Sequence, residues 1–161
     1  TFDLSTESQT KKYVAVNYEV RQEYIENVLS KNNYTFENDP EPTLSDFEQL
    51  IPNAIDRFNK KTEKLGFNSG TTIFISLPDS KMLKVDCSEF PTKYEIIEDK
   101  AESIVAPYIY FEIDSKLLHL MFKGPRYAHW NNMEIGALLK MKREPDVYEM
   151  GVHMALCYLH N

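Results

Sequence analysis

The chain has 161 residues, of which 42% are hydrophobic, 12% aromatic and 27% charged, and its formal net charge is −7. Such a length and composition fit one folded domain with an appended segment and exclude a disordered chain, and the charge has the wrong sign for a nucleic-acid footprint. No apolar run approaches the ~20 residues that span a bilayer, and the start, TFDLSTESQTKK, lacks the basic and apolar regions of a signal peptide; a cytoplasmic protein with no transmembrane segment and no nucleic-acid partner is therefore expected.

The first residue is Thr1 rather than Met, which suggests a piece of a longer protein. In VNYEVRQEYIENVLSK, Val16, Val20, Tyr24 and Val28 recur at the i, i+4, i+8 spacing of an amphipathic helix, with Ile25 and Leu29 beside the stripe. The segment KNNYTFENDPEPT interrupts it with Asn32, Asn33, Pro40 and Pro42. A second helix is expected in SDFEQLIPNAIDRFNKKTEKLG. Ser45 and Glu48 stand at capping-box spacing, and Leu50, Ile51, Ala54, Ile55, Phe58 and Leu65 form an inner face. Pro52 implies either a start near Ile51 or a kink, and Gly66 a stop. Residues 1–67 thus read as a helical connector with polar outer faces.

From Thr71 the period becomes two. TTIFISLP sets Ile73, Ile75 and Leu77 on one side and Thr72, Phe74 and Ser76 on the other. Asp79 and Ser80 make a turn into KMLKVDC, KYEIIED is a third strand, and APYIYFEID is a fourth, rich in aromatic and β-branched residues. Asp114 or Ser115 caps a short helix, SKLLHLMFKG, that stops at Gly124 before Pro125. NMEIGALLKMKRE places Met133, Ile135, Ala137, Leu139 and Met141 on one face of a fifth strand, with Gly136 tolerated or bulged. PDVYEMGVHMALCYLHN closes the chain as a helix, with Pro145 near its first position and Val147, Met150, Met154, Leu156, Cys157 and Tyr158 as its apolar residues. Residues 71–161 therefore read as an α+β domain: an antiparallel sheet of about five strands with helices packed on one face, preceded by two helices.

The stretches YFEIDSKLLHLMFKG and, after a loop, EIGALLKM carry a resemblance to sterol carrier protein-like domains over roughly Thr71 to Asn161. Nearly the whole chain is similar to a further group. The leading helices, TTIFISLPD and HWNNMEIGALLKMKREPDVYEMGVHMALCYLH resemble the C-terminal region of certain bacterial metallo-β-lactamase-fold proteins, relatives of Rieske-containing sugar-nucleotide hydroxylases. That resemblance implies an upstream catalytic domain in the same chain and a metal-dependent hydrolase or oxidoreductase as the parent protein. The chain has neither an H-x-H-x-D-H cluster nor a Cys/His Rieske pair, so the family's activity does not carry over, and no cofactor is expected in these residues.

The candidate chemistry is sparse. Cys87 and Cys157 read as free thiols without the spacing of a metal site. No two of His119, His129, His153 and His160 stand at i, i+2 or i, i+4, so no metal site and no catalytic residue is assigned. Ser115 sits in no G-x-S-x-G elbow and reads as a capping residue. In HWNN, Trp130 with Asn131 and Asn132 has the chemistry to stack on a sugar or base. The favoured reading is structural: Trp130 packs under the last helix, and the asparagines bond their own backbone. Phe74, Tyr110, Leu118, Met121, Phe122, Trp130, Leu139, Met150 and Met154 are the candidate lining of an apolar cavity between sheet and helices, which in sterol carrier-like domains opens as a tunnel for a sterol or acyl chain. Two functions from different classes follow. The first is a non-catalytic accessory domain that covers a substrate side or dimerises. The second is a module binding lipid or another apolar ligand.

Overall fold

A computed structural model describes residues 16–161; residues 1–15, the first part of the predicted connector, lie outside the described residues. The chain divides into two units, residues 1–35 and 36–161. In the first, α1 (Tyr18–Asn27) is capped by the Asn17 side chain, which accepts from the Glu19 and Val20 amides at 3.0 and 3.2 Å. None of its residues is buried, so the predicted apolar stripe of Val16, Val20 and Tyr24 stays exposed.

The second unit opens with α2 (Leu44–Leu65), one unbroken helix through Pro52. It starts earlier than Ser45 and Glu48 suggested: the Thr43 amide and hydroxyl both donate to the Asp46 carboxylate at 2.8 Å. Those bonds, the amide's first, hold the Asp46 carboxyl below its ordinary value. Gly66 ends the helix in the left-handed region at φ 64°. Phe47, Ile51, Ala54, Ile55 and Phe58 are fully or nearly fully buried, so α2 is part of the core of this unit and not a surface connector. Its apolar spacing is the reason: five buried residues on one face need a sheet to lie on.

The sheet contains β1 (Thr72–Leu77), β2 (Lys81–Asp86), β3 (Lys93–Glu98), β4 (Tyr108–Ile113) and β5 (Leu139–Glu144), in the order β3-β2-β1-β4-β5. The α+β class holds, with helices gathered on one face. The sheet is mixed rather than antiparallel, because β1 and β4 run parallel, Ile73 opposite Ile109 and Ile75 opposite Phe111. The β1–β2 turn has Asp79 and Ser80 at φ 59° and 54°, closed by the Lys81 amide donating to the Pro78 carbonyl at 3.2 Å. That is a type I′ turn, whose twist matches the strands it joins.

Three further helices complete the unit. In α3 (Ser115–Lys123) the Asp114 carboxylate accepts from the Lys116 and Leu117 amides at 3.0 and 3.2 Å, and Gly124 ends the helix, as the sequence predicted. The predicted fifth strand is shorter than NMEIGALLKMKRE. Its first half forms α4 (Trp130–Ile135), and only Leu139–Glu144 is extended. The His129 ring caps α4, Nδ1 accepting from the Asn131 amide at 3.2 Å, and Ala137 at φ 52° turns the chain into β5. The alternation of Met133, Ile135 and Ala137 was too short to separate strand from helix. The last helix, α5 (Met150–Leu156), starts well after Pro145; Val147 and Tyr148 lie in an exposed loop, not on a helix. Its Glu149 cap position is tied to the approach to β1, the Ser69 hydroxyl donating to the Glu149 carboxylate at 2.7 Å and the Thr71 hydroxyl donating to the same group. Among the described residues no helix is long and apolar enough to cross a membrane.

Candidate functional site

Strand alternation decides where the predicted cavity residues go. Ile73, Ile75, Leu83, Val85, Ile109 and Phe111 face the helices and form one cluster with α2, α3 and α5. Leu118, Met121, Phe122 and Trp130 belong to that cluster at 0%, 1%, 0% and 2% exposure, so no water-sized space remains against them. The Trp130 ring meets Phe111 edge-on at 5.2 Å and 70°. Leu139 is partly buried at its margin. Phe74 and Tyr110 do not join it. They alternate onto the opposite face of the sheet, where Phe74 lies 6.5 Å from the Tyr108 ring and the Tyr110 and Ser76 hydroxyls are 2.7 Å apart. Met150 and Met154 point outward, 64% and 42% exposed, because Val152, Ala155 and Leu156 take the inner side of α5. The nine residues therefore occupy three environments and line no shared chamber.

The candidate nucleophiles are held in structural roles. Ser115 donates its hydroxyl to the Glu41 carboxylate. Burial pushes the Cys87 thiol up to about 12 and raises Cys157, whose thiol donates to the His153 carbonyl at 3.5 Å; both are protonated at neutral pH and poor nucleophiles. His119 packs edge-on against Phe47 at 5.7 Å, and burial lowers its basicity. Among the described residues no three His, Cys, Asp or Glu side chains converge as a metal site would require.

One polar contact was not legible in the sequence. Where α4 meets α5, His153 Nδ1 lies 2.9 Å from the Glu134 carboxylate, and the Tyr148 ring stacks on His153 at 4.4 Å and 23°. Arg143 lies 6.0 Å over the Tyr148 ring and donates to Asp146 at 2.7 Å. His153 Nε2 and Trp130 Nε1 are buried without a hydrogen-bond partner among the described residues. One His153 nitrogen thus lies against a carboxylate, while the other faces the interior, away from any substrate in solvent.

Comparison with known proteins gives no relative. No family model matches the chain, and no curated protein or solved structure is found to be similar to it.

Several large apolar side chains close in sequence to Glu134 and His153 face outward. Ile135 follows Glu134 and is 78% exposed, Tyr148 covers the imidazole, and Met150 and Met154 flank His153 on α5. Of these, Met150 and Met154 were expected inside, and Ile135 on one face of a strand. The i, i+4 spacing of Met150 and Met154 is what a buried helix face also shows, so periodicity could not separate the two sides of so short a helix.

Proposed function

We propose that this chain is a non-catalytic accessory domain that docks through the α4–α5 surface onto a catalytic domain of the metallo-β-lactamase type, the upstream partner that the resemblance implies. The observation that carries the reading is the outward exposure of Ile135, Tyr148, Met150 and Met154 on and beside the two helices that the part-buried Glu134–His153 contact joins. Exposed large apolar side chains that gather on one surface mark an interaction site. The closed core supports the same side of the choice. With Leu118, Met121, Phe122 and Trp130 packed without intervening space, a sterol or acyl chain would have to displace them to enter.

The test uses the chain alone and joined to the polypeptide encoded directly upstream of Thr1. Amides between residues 130 and 158 should gain hydrogen-exchange protection in the longer chain. Ile135→Asp and Met150→Asp should remove that gain and leave the melting temperature of the isolated chain within about 2 °C, since exposed substitutions change stability by less than about 0.5 kcal/mol. An upstream polypeptide without a metal-binding histidine cluster, or turnover by the isolated chain, would sink the reading.

A further inference from the structure

The distal half of α2 carries Arg57, Lys60, Lys61 and Lys64, at the i, i+3, i+4, i+7 positions of one helix face. With Tyr158, which follows α5, they line an open groove of about 280 Å³. None of the four takes part in an ion pair among the described residues, although Asp56 and Glu63 lie on the same helix. In a chain of net charge −7, four converging cations without a carboxylate partner are a local reversal of sign.

Two of these cations are held in place, and by neutral groups. Lys61 Nζ sits 4.5 Å over the centre of the Tyr158 ring. The Arg57 guanidinium donates to His160 Nε2 at 3.3 Å, while His160 Nδ1 donates to the Asn161 carbonyl at 3.0 Å. The second bond leaves the Nε2 lone pair free to accept from Arg57. Burial first, and the Arg57 charge beside it, keep the ring below the ordinary imidazole range and hence uncharged at neutral pH. Positioning by a ring face and by a neutral imidazole fixes the cations without cancelling their charge, whereas a carboxylate partner would do both.

We propose that this groove binds a small soluble molecule carrying two or more linked phosphate groups. The stripe from Arg57 to Lys64 is about 10 Å long at ~1.5 Å rise per residue, enough for more than one phosphate, and Arg57 offers the planar donor fork that phosphate oxygens match. The overall negative charge repels an extended polyanion, which disfavours nucleic acid, and an anionic bilayer meets the same repulsion over its larger contact area. A compact oligoanion feels mainly the local cations, because screening confines the rest of the field to about 10 Å at 0.1 M salt.

Pyrophosphate is the probe, with inorganic phosphate and phosphatidylglycerol vesicles as comparison arms, measured on the full chain by calorimetry and amide chemical shifts at low ionic strength. Pyrophosphate should bind with one-to-one saturation, at least fivefold tighter than inorganic phosphate, with shifts concentrated at residues 57–64 and 158–160. The Lys60→Gln/Lys64→Gln double variant should weaken it at least tenfold, and Lys142→Gln, on the opposite face of the sheet, should not. Both lysines are exposed and unpaired, so the double variant should keep the parent melting temperature, and the shift map locates the site without any substitution. Absence of saturation, an equal loss in the Lys142→Gln control, or binding to vesicles that pyrophosphate does not displace would each overturn the proposal.

Discussion

A buried donor without an acceptor is a cost that the rest of a side chain must outweigh. The Trp130 indole N–H is such a donor, 2% exposed and without a partner among the described residues, in a ring that packs edge-on against Phe111. Leaving a buried polar group unsatisfied costs about 1–3 kcal/mol, while deleting a large buried ring costs about 3–5 kcal/mol. Trp130→Ala should therefore lower the unfolding free energy by about 3–5 kcal/mol in urea titration. Trp130→Phe keeps most of the apolar contact and removes the orphan donor, so it should cost well under half as much; equal losses would show that the indole N–H is satisfied in solution. The burial of Trp130 was readable in advance, since one large aromatic in an otherwise polar turn needs somewhere to pack. The pairing of Glu134 with His153 was not. It joins two short helices separated by a strand, and neither residue has a spacing that announces the other.

Elements with strong local punctuation were legible. Asp114 and Gly124 bracket α3, and Asp79 with Ser80 close the β1–β2 hairpin, because caps and left-handed turns are set by residues adjacent in sequence. Where punctuation was weak or contradictory, the reading failed. The alternation of residues 132–138 predicts a strand where α4 forms, because it is too short to exclude a helix, and the histidine that caps α4 is not among the usual capping residues. In α2 the obstacle was Pro52, which lacks an amide and should break the ladder. The helix nevertheless continues, because Pro52 is on the exposed side, where water reaches the carbonyl it leaves unbonded, and the buried row of Ile51, Ala54, Ile55 and Phe58 holds the turns on either side to the sheet. Tertiary packing thus outweighs a local penalty of about 3 kcal/mol. Replacing the residue should release part of it. Pro52→Ala is expected to raise stability by on the order of 1–2 kcal/mol, the gain being reduced by about 0.4–1 kcal/mol through the greater freedom of the unfolded chain. A thermal melt reads the change, and a fall in melting temperature would mean that Pro52 makes a contact worth more than the missing bond.

At the scale of the unit, the α+β class and the one-sided packing of helices followed from periodicity, but strand order did not. The parallel β1–β4 pair arises because β4 returns beside β1 rather than beside β3, so the segment from 99 to 107 must pass over two strands. It passes on the face opposite the helices, where its Asp99, Ala101, Ile104 and Ala106 line a cleft with Tyr108 and Tyr110. Phe74 and Met82 alternate onto this face and yet are 1% and 0% exposed. The rest of the face carries cross-strand charge pairs, Lys84 with Glu95 at 2.5 Å and Lys140 with Glu112 at 2.7 Å. The same geometry fixes the smallest piece that should fold. A boundary near Thr71 follows the change from helical to strand periodicity, but it cuts α2 away and strips the inner face of the sheet of Phe47, Ile51, Ala54, Ile55 and Phe58. Burial of each of Phe47, Ile51, Ile55 and Phe58 contributes about 1.5–3 kcal/mol, so their loss together is comparable with the whole 5–15 kcal/mol by which ordinary domains are stable. Residues 36–161 should melt in a single cooperative transition with a native near-ultraviolet aromatic spectrum, and residues 71–161 should show neither; a cooperative transition in the shorter piece would mean that α2 is an attachment to the sheet and not a wall of its core.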